Sequence, residues 1–237
     1  MHPKGKLYLI PTTLGESNPM DVLPQTVQRA IELMDTFVVE NEKDARKFIK
    51  SICPEKVQAS LKLSSLNKRT EKSEHFAMIK PCLNGENIGL MSDAGCPGVA
   101  DPGAAIVKLA HENGIQVVPL VGPSSILLAV MASGMNGQSF AFNGYLPIDK
   151  DEKKATLKGL EKLSADKNQS QLFIETPYRN NKMLEDLLQI LQPSTSICVA
   201  ADITLPSEYI KTMRVQEWKK TKVDLHNRPC IFIIHKM

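Results

Sequence analysis

The 237-residue sequence has no Cys-x-x-Cys pair, no internal repeat and no uninterrupted apolar run of membrane-spanning length. Cys53, Cys82, Cys96, Cys198 and Cys230 are odd in number and widely scattered. That spacing argues against a disulfide framework and a structural zinc site, and it agrees with a cytoplasmic address. His2, His75, His111, His226 and His235 are equally dispersed, so no metal centre is expected. With 13 Gly and 15 Pro the chain is not linker-dominated,. Its 29 Lys+Arg against 26 Asp+Glu leave a formal net charge of +3, too small by itself to establish nucleic-acid binding,.

Charge is also missing locally. Between Asn113 and Ile148 there is no Asp, Glu, Lys or Arg, in a chain where 23% of residues are charged. A membrane span needs about 20 consecutive apolar residues. Here Pro119, Gly122-Pro123-Ser124-Ser125 and Asn136-Gly137-Gln138 interrupt the stretch. No signal-peptide pattern follows Met1–Gly5. The expectation is therefore a buried inner wall, not a membrane segment.

What is present is an alternation of short apolar runs and helical stretches, which argues for α/β layers. Strands are expected at Leu7–Ile10, Phe37–Val39, Ile88–Met91, Val117–Val121, Phe140–Phe142, Leu172–Glu175, Ile197–Ala200 and Cys230–Ile234. Helices are expected at Pro24–Leu33, Asp44–Ile49, Glu71–Leu83, Lys150–Leu163 and Asn181–Leu191. Asp101-Pro102 reads as an N-cap followed by proline in the first helical position, with Asn113-Gly114 ending that helix. Ser124–Ser133 is apolar nearly all round and should be buried on most sides. The first half should form a mainly parallel sheet and the second a mixed one, as two α/β domains spanning 1–121 and 122–237.

Two segments carry chemistry. Ser92-Asp93-Ala94-Gly95-Cys96-Pro97-Gly98-Val99-Ala100-Asp101-Pro102-Gly103 follows a strand and is rich in residues that allow close backbone approach,. It lacks the Gly-Lys-Ser/Thr of a phosphate loop and the Gly-x-Gly-x-x-Gly of a dinucleotide site. Asp93 and Asp101 would repel phosphate, so a ligand with positive charge suits it better. The second segment, Val118–Ile126, is a strand, a tight Gly122-Pro123 turn and a helix start with two serines. Capping explains one serine, and recognition of a neutral ligand edge could use both.

These segments, together with Gly134 and Phe142-Asn143-Gly144-Tyr145-Leu146-Pro147, resemble the tetrapyrrole methylase superfamily of S-adenosylmethionine-dependent methyltransferases. Glu175-Thr176-Pro177-Tyr178-Arg179 is similar to the Glu-Ser-Pro-His-Arg of its RNA-modifying branch, which methylates a cytidine ribose 2′-hydroxyl in the small ribosomal subunit. The likeness runs from Leu7 to Ile234. It implies two α/β domains with the cofactor in a cleft between them, and a homodimer. By position it implies cofactor contacts from Leu14, Asp93, Cys96, Ser125 and Ile126, with Gly95, Ser124, Phe173, Ala200 and Pro229 as further candidates.

The sequence departs from that branch on the substrate side. The usual Ala-Thr-Pro-Ile-Gly-Asn-Leu is here Pro11-Thr12-Thr13-Leu14-Gly15-Glu16-Ser17. Glu-Asp-Thr-Arg becomes Glu40-Asn41-Glu42-Lys43-Asp44-Ala45-Arg46, and His-Glu-His-Asn becomes Ser65-Leu66-Asn67-Lys68. Removing a ribose hydroxyl proton calls for a base near the methyl group. Glu40 is the first candidate, with Arg46 as a positioning cation and Glu175 and Arg179 as alternatives. Lys43–Lys50 and Lys62–Lys72 each carry net +3 and Lys211–Lys222 net +4. The first two could form a phosphate-contacting rim, or simply a solvated surface. Asp149–Lys167 mixes six basic with five acidic residues and reads as a solvated helix face,. The resulting expectation is an S-adenosyl-L-methionine-dependent methyltransferase of ribosomal RNA ribose. The alternatives are the same chemistry on a tetrapyrrole or other non-RNA substrate, and a cofactor- or RNA-binding module without turnover.

Overall fold

A computed structural model describes residues 3–67 and 69–236; Met1, His2 and Lys68, named above, lie outside them. The chain divides into two compact units, Met1–Ser124 and Ser125–Met237. The sequence reading puts the division three residues earlier, after Val121.

The first unit runs β1 (Lys6–Ile10), α1 (Gln25–Glu32), β2 (Thr36–Val39), α2 (Glu42–Ile52), β3 (Lys62–Ser65), α3 (Lys72–Leu83), β4 (Ile88–Met91), α4 (Ala104–Glu112) and β5 (Gln116–Pro119). Its strands form one parallel sheet in the order β3-β2-β4-β1-β5. Helix α1 buries Val27, Ala30 and Ile31, and α2 buries Ala45, Ile49 and Ile52, at the spacing of one helical face,. Both pack with Ile10, Phe37, Val39 and Met91 on one side of the sheet. Helices α3 and α4 pack with Leu7, Val38, Ile88 and Leu90 on the other. Alternate residues of each strand thus face alternate helical layers, as the two-residue period of a strand requires. The chain leaves β2 towards one sheet edge and leaves β4 towards the other. The carboxyl ends of these neighbours therefore frame a crevice, where open α/β sheets bind ligands.

The second unit runs α5 (Ser125–Ser133), β6 (Phe140–Tyr145), α6 (Lys150–Lys167), β7 (Ser170–Ile174), α7 (Asn180–Ile190), β8 (Ser196–Ala201), β9 (Tyr209–Arg214), α8 (Val215–Trp218) and β10 (Cys230–His235). Its sheet, β6-β7-β10-β8-β9, is mixed: β6 and β7 are parallel and the other pairs antiparallel. Central β10 is buried throughout, which its Cys-Ile-Phe-Ile-Ile run makes favourable,. Phe173 and Phe232 stack with ring centroids 5.9 Å apart. Trp218 is fully buried and its indole N–H donates to the Ile197 carbonyl at 2.9 Å.

Several expectations are corrected. Helix α4 begins at Ala104 with Gly103 as N-cap, because Asp101 is engaged in closing the preceding loop. Strands β3 and β9 are edge strands whose polar composition hides them from a hydrophobic-pattern reading,. Helix α6 is not wholly a solvated face: Glu161 is buried, and Lys153 pairs with Asp186 at 3.1 Å with both side chains largely covered. The uncharged stretch is no buried wall either. Only Ile115, Pro123, Ala129, Ser133 and Leu146 are buried within it. Val121 (76% exposed), Leu127 (53%), Met131 (77%) and Ile148 (73%) leave apolar surface open. Apolar periodicity reports that a side chain prefers cover, not that its own chain supplies it.

Candidate active site

The loops after β1 and β4 are laced together at the carboxyl edge of the parallel sheet. Thr12 N–H donates to the Gly95 carbonyl at 2.9 Å, and the Thr12 hydroxyl donates to the Ser92 carbonyl at 3.3 Å. Gly95 sits at φ 75, a conformation that a side chain would strain, and a Cβ there would meet Leu14 at 3.0 Å,. The Cys96 thiol donates to the Pro123 carbonyl at 3.3 Å, joining this loop to the turn after β5. Burial pushes the Cys96 thiol pKa up, so it is a neutral packing group,.

Asp101 closes the glycine-rich loop on itself. Its carboxylate accepts from Gly98 N–H at 2.9 and 2.8 Å and from Gly103 N–H at 2.7 Å. Glu40, at the end of β2, accepts from Asp93 N–H at 3.1 Å across the crevice. Burial first, and then the nearby negative charges of Asp93 and Asp101, raise the Glu40 carboxyl pKa,. Asp93 is raised by burial and by Asp44, and Asp101 by burial. Among the described residues none of these carboxylates has a lysine or arginine in ion-pair contact. Among the described residues no group of three or more His, Cys, Asp or Glu is placed to hold a metal ion.

Leu14, Glu40, Asp93, Gly95 and Cys96 are thus brought to one edge of the first unit. Arg46 is directed elsewhere: its guanidinium donates to the Gln58 carbonyl at 2.7 Å. Ser124 ends the first unit, and Ser125 and Ile126 open α5. Sequence reasoning missed a cleft of about 530 Å³ in the first unit, walled by the Thr12–Ser17 loop, by Asp44, Lys47, Phe48 and Ser51 of α2, and by Asp93. A partial signal was available, since two of the segments that depart from the RNA-modifying branch contribute Thr12–Ser17 and Asp44 to its lining.

In the second unit, Phe173, Glu175, Arg179, Ala200 and Pro229 come to one edge of the mixed sheet. Antiparallel pairing there sets Ile174 opposite Ile231 and Ala201 opposite Cys230. Phe173 and Ala200 are completely buried in strands, while Pro229 is exposed and its carbonyl accepts from Asp202 N–H at 2.9 Å. Glu175 is committed to neighbours: one oxygen accepts from Thr176 N–H at 2.7 Å and from Arg179 at 2.7 and 3.1 Å. The Arg228 guanidinium, donating to Asp202 at 2.7 Å and to the Ser207 carbonyl at 2.6 Å, fixes the adjoining loop. Neither Asp202 nor Arg228 stands in a recognisable motif.

A doubly wound parallel sheet followed by a mixed α/β unit, with a glycine turn at the ligand edge, is the architecture of one class of S-adenosylmethionine-dependent methyltransferases. Residues 6–219 match the family model for tetrapyrrole (corrin/porphyrin) methylases, and the chain belongs to that family. It is 30% identical over 214 residues to the ribosomal RNA small subunit methyltransferase I of Vibrio cholerae, covering 89% of this chain and 69% of that protein. The Bacillus subtilis protein of the same name is 34% identical over 200 residues, covering 84% and 64%. Among solved structures, the methyltransferase CobJ superposes with a TM-score of 0.65 at 15% identity, covering 98% of this chain and 94% of that one. Uroporphyrin-III C-methyltransferase from Thermus thermophilus, complexed with S-adenosylhomocysteine, gives a TM-score of 0.59 at 16% identity, covering 98% of each chain. At those identities the likeness is one of fold.

The residues fit an S-adenosylmethionine cofactor. Carboxylates without cationic partners suit a ligand bearing a sulfonium and an ammonium group. Gly98, at φ 84, has open space where a Cβ would stand, so backbone and ligand can approach closely.

Proposed function

We propose that the chain methylates a ribose 2′-hydroxyl in small-subunit ribosomal RNA, acting in the cytoplasm as a homodimer. The observation that carries the catalytic part is the Glu40–Asp93 contact across the β2–β4 crevice. Leu14, Asp93, Gly95 and Cys96 of the first unit, Ser124, and Ser125, Ile126, Phe173, Ala200 and Pro229 of the second are the proposed cofactor contacts. Phe173 and Ala200, being buried strand residues, would contribute through their backbone. When bound, S-adenosylmethionine supplies a methyl group on a positively charged sulfur.

This chain's residues orient the acceptor and take its proton. Glu40 Oε1 is held by Asp93 N–H, which leaves Oε2 to accept a substrate hydroxyl. Its raised proton affinity suits a general base, since a more basic carboxylate removes a hydroxyl proton more readily,. Asp101 keeps the loop that carries Asp93 in shape. Arg46, Glu175 and Arg179 are assigned to scaffolding by the partners they already hold. The RNA part of the reading is supported by the names of the relatives that are 30% and 34% identical. The dimer is supported by the exposed apolar side chains of a stretch without charge, because such a surface does not repel its own copy,.

The first test is cofactor affinity by calorimetry. Losing a charged hydrogen-bonding group should weaken binding in Asp93→Ala by about tenfold or more. Unchanged affinity in a folded Asp93→Ala protein rules out the proposed loop.

A further inference from the structure

We propose that Lys47 is a phosphate-binding residue at the rim of the 530 Å³ cleft, and that Glu16 occupies it until substrate RNA arrives. The proposal rests on the RNA reading above and adds a site and a gating contact to it.

The cleft is lined by groups of both kinds. The Thr13 and Ser51 hydroxyls and the Asp44 and Asp93 carboxylates can receive a neutral sugar or base, and the carboxylates repel phosphate. The lysines of α2 supply the opposite charge. Lys43, Lys47 and Lys50 are exposed at i, i+4 and i+7 of α2, so they share one helical face,. Lys47 is the member of that row that also lines the cleft. A nucleoside entering the cleft would carry its flanking phosphate past this residue.

Lys47 is already engaged by a surrogate anion. Its Nζ lies 2.5 Å from Glu16 Oε1, with the two side chains 71% and 89% exposed. Each partner stabilises the charged form of the other. An ion pair so exposed is screened by water and contributes little to the fold. A phosphate, with more oxygens and its charge fixed on the substrate, makes the stronger charge-assisted contact and displaces Glu16. Glu16 belongs to the loop after β1 that forms the opposite wall of the cleft. Exchanging the carboxylate for phosphate therefore frees that wall as substrate enters. Glu16 also stands where the RNA-modifying branch usually has asparagine, so the masking group is this chain's own.

The test is a double-mutant cycle with a fluorescently labelled short single-stranded RNA, read by anisotropy over a salt series, with circular dichroism confirming each fold. Glu16→Gln should tighten RNA binding about two- to fivefold, the scale of an exposed ion pair. Lys47→Gln should weaken it and lower the slope of log affinity against log salt by about one. The double variant should match Lys47→Gln alone. Equal tightening by Glu16→Gln with and without Lys47 would show a general repulsive charge and overturn the gating contact. RNA binding that neither substitution changes overturns the site while leaving the RNA reading standing. No RNA binding by the unmutated protein overturns that reading itself.

Discussion

Burial raises the carboxyl pKa values of Glu40, Asp93 and Asp101 at the crevice, and nearby negative charge adds to it at Glu40, from Asp93 and Asp101, and at Asp93, from Asp44. The sign of the consequence follows from linkage. Where burial raises a carboxyl pKa above its unfolded value, the folded state holds more protons. Its stability then falls as pH rises from the unfolded to the folded pKa. A cationic ligand acts in the opposite sense, because it favours the ionised carboxylates and expels those protons. Affinity for S-adenosylmethionine should therefore rise with pH through the window just above the ordinary carboxylate value of about 4, and Asp93→Asn should flatten much of that rise. Calorimetry in buffers of matched ionic strength measures it. An affinity independent of pH across that window removes the acids from cofactor binding. Nearby, Lys47 lowers the Glu16 carboxyl pKa and Glu16 raises that of the Lys47 ammonium.

Helix α5 shows most clearly how an element can be legible in kind and illegible in setting. Its nine residues, Ser-Ile-Leu-Leu-Ala-Val-Met-Ala-Ser, announce a helix that seeks cover, yet Leu127 and Met131 stand exposed one turn apart. A second copy is the proposed cover. Met131→Asp would place an unpaired carboxylate in that contact, which costs roughly 3 kcal/mol or more, about a hundredfold in dimer affinity. Analytical ultracentrifugation should show the unmutated chain as a dimer and the variant shifted to monomer; identical profiles would remove α5 from the interface. The strongly apolar strands β1, β2, β4, β7, β8 and β10 are legible in the sequence because their side chains are buried or half-buried on both faces. Strands β3 and β9, at sheet edges, mix lysine and hydroxyl side chains with their apolar residues, so no apolar run marks them. The same limit governs the site. The glycine-rich loop is local and visible, whereas the Glu40–Asp93 bond joins residues 53 apart and the Asp202–Arg228 pair residues 26 apart. No spacing rule marks such partners before the chain is folded.

Among the described residues there are two hydrophobic cores in the first unit, one on each side of its parallel sheet, and a third under the mixed sheet of the second. Among the described residues no helix is long and apolar enough to cross a membrane. The +3 charge of the chain averages over very different surfaces: an acidic crevice, a lysine row on α2 and a 36-residue stretch without charge. Family membership fixes the methyl-transfer chemistry, and the acceptor is what remains to be put to experiment. The direct measurement is transfer of labelled methyl from S-adenosylmethionine to small ribosomal subunits from a strain lacking the gene, followed by alkaline hydrolysis of the RNA. A 2′-O-methyl group blocks the hydroxyl that would attack the adjacent phosphate. Label should therefore appear in small-subunit RNA and survive alkali in a dinucleotide, and Glu40→Gln should reduce its transfer by about 10²-fold or more. Label that appears in no RNA fraction, or that leaves as a single alkali-released nucleotide, contradicts ribose methylation.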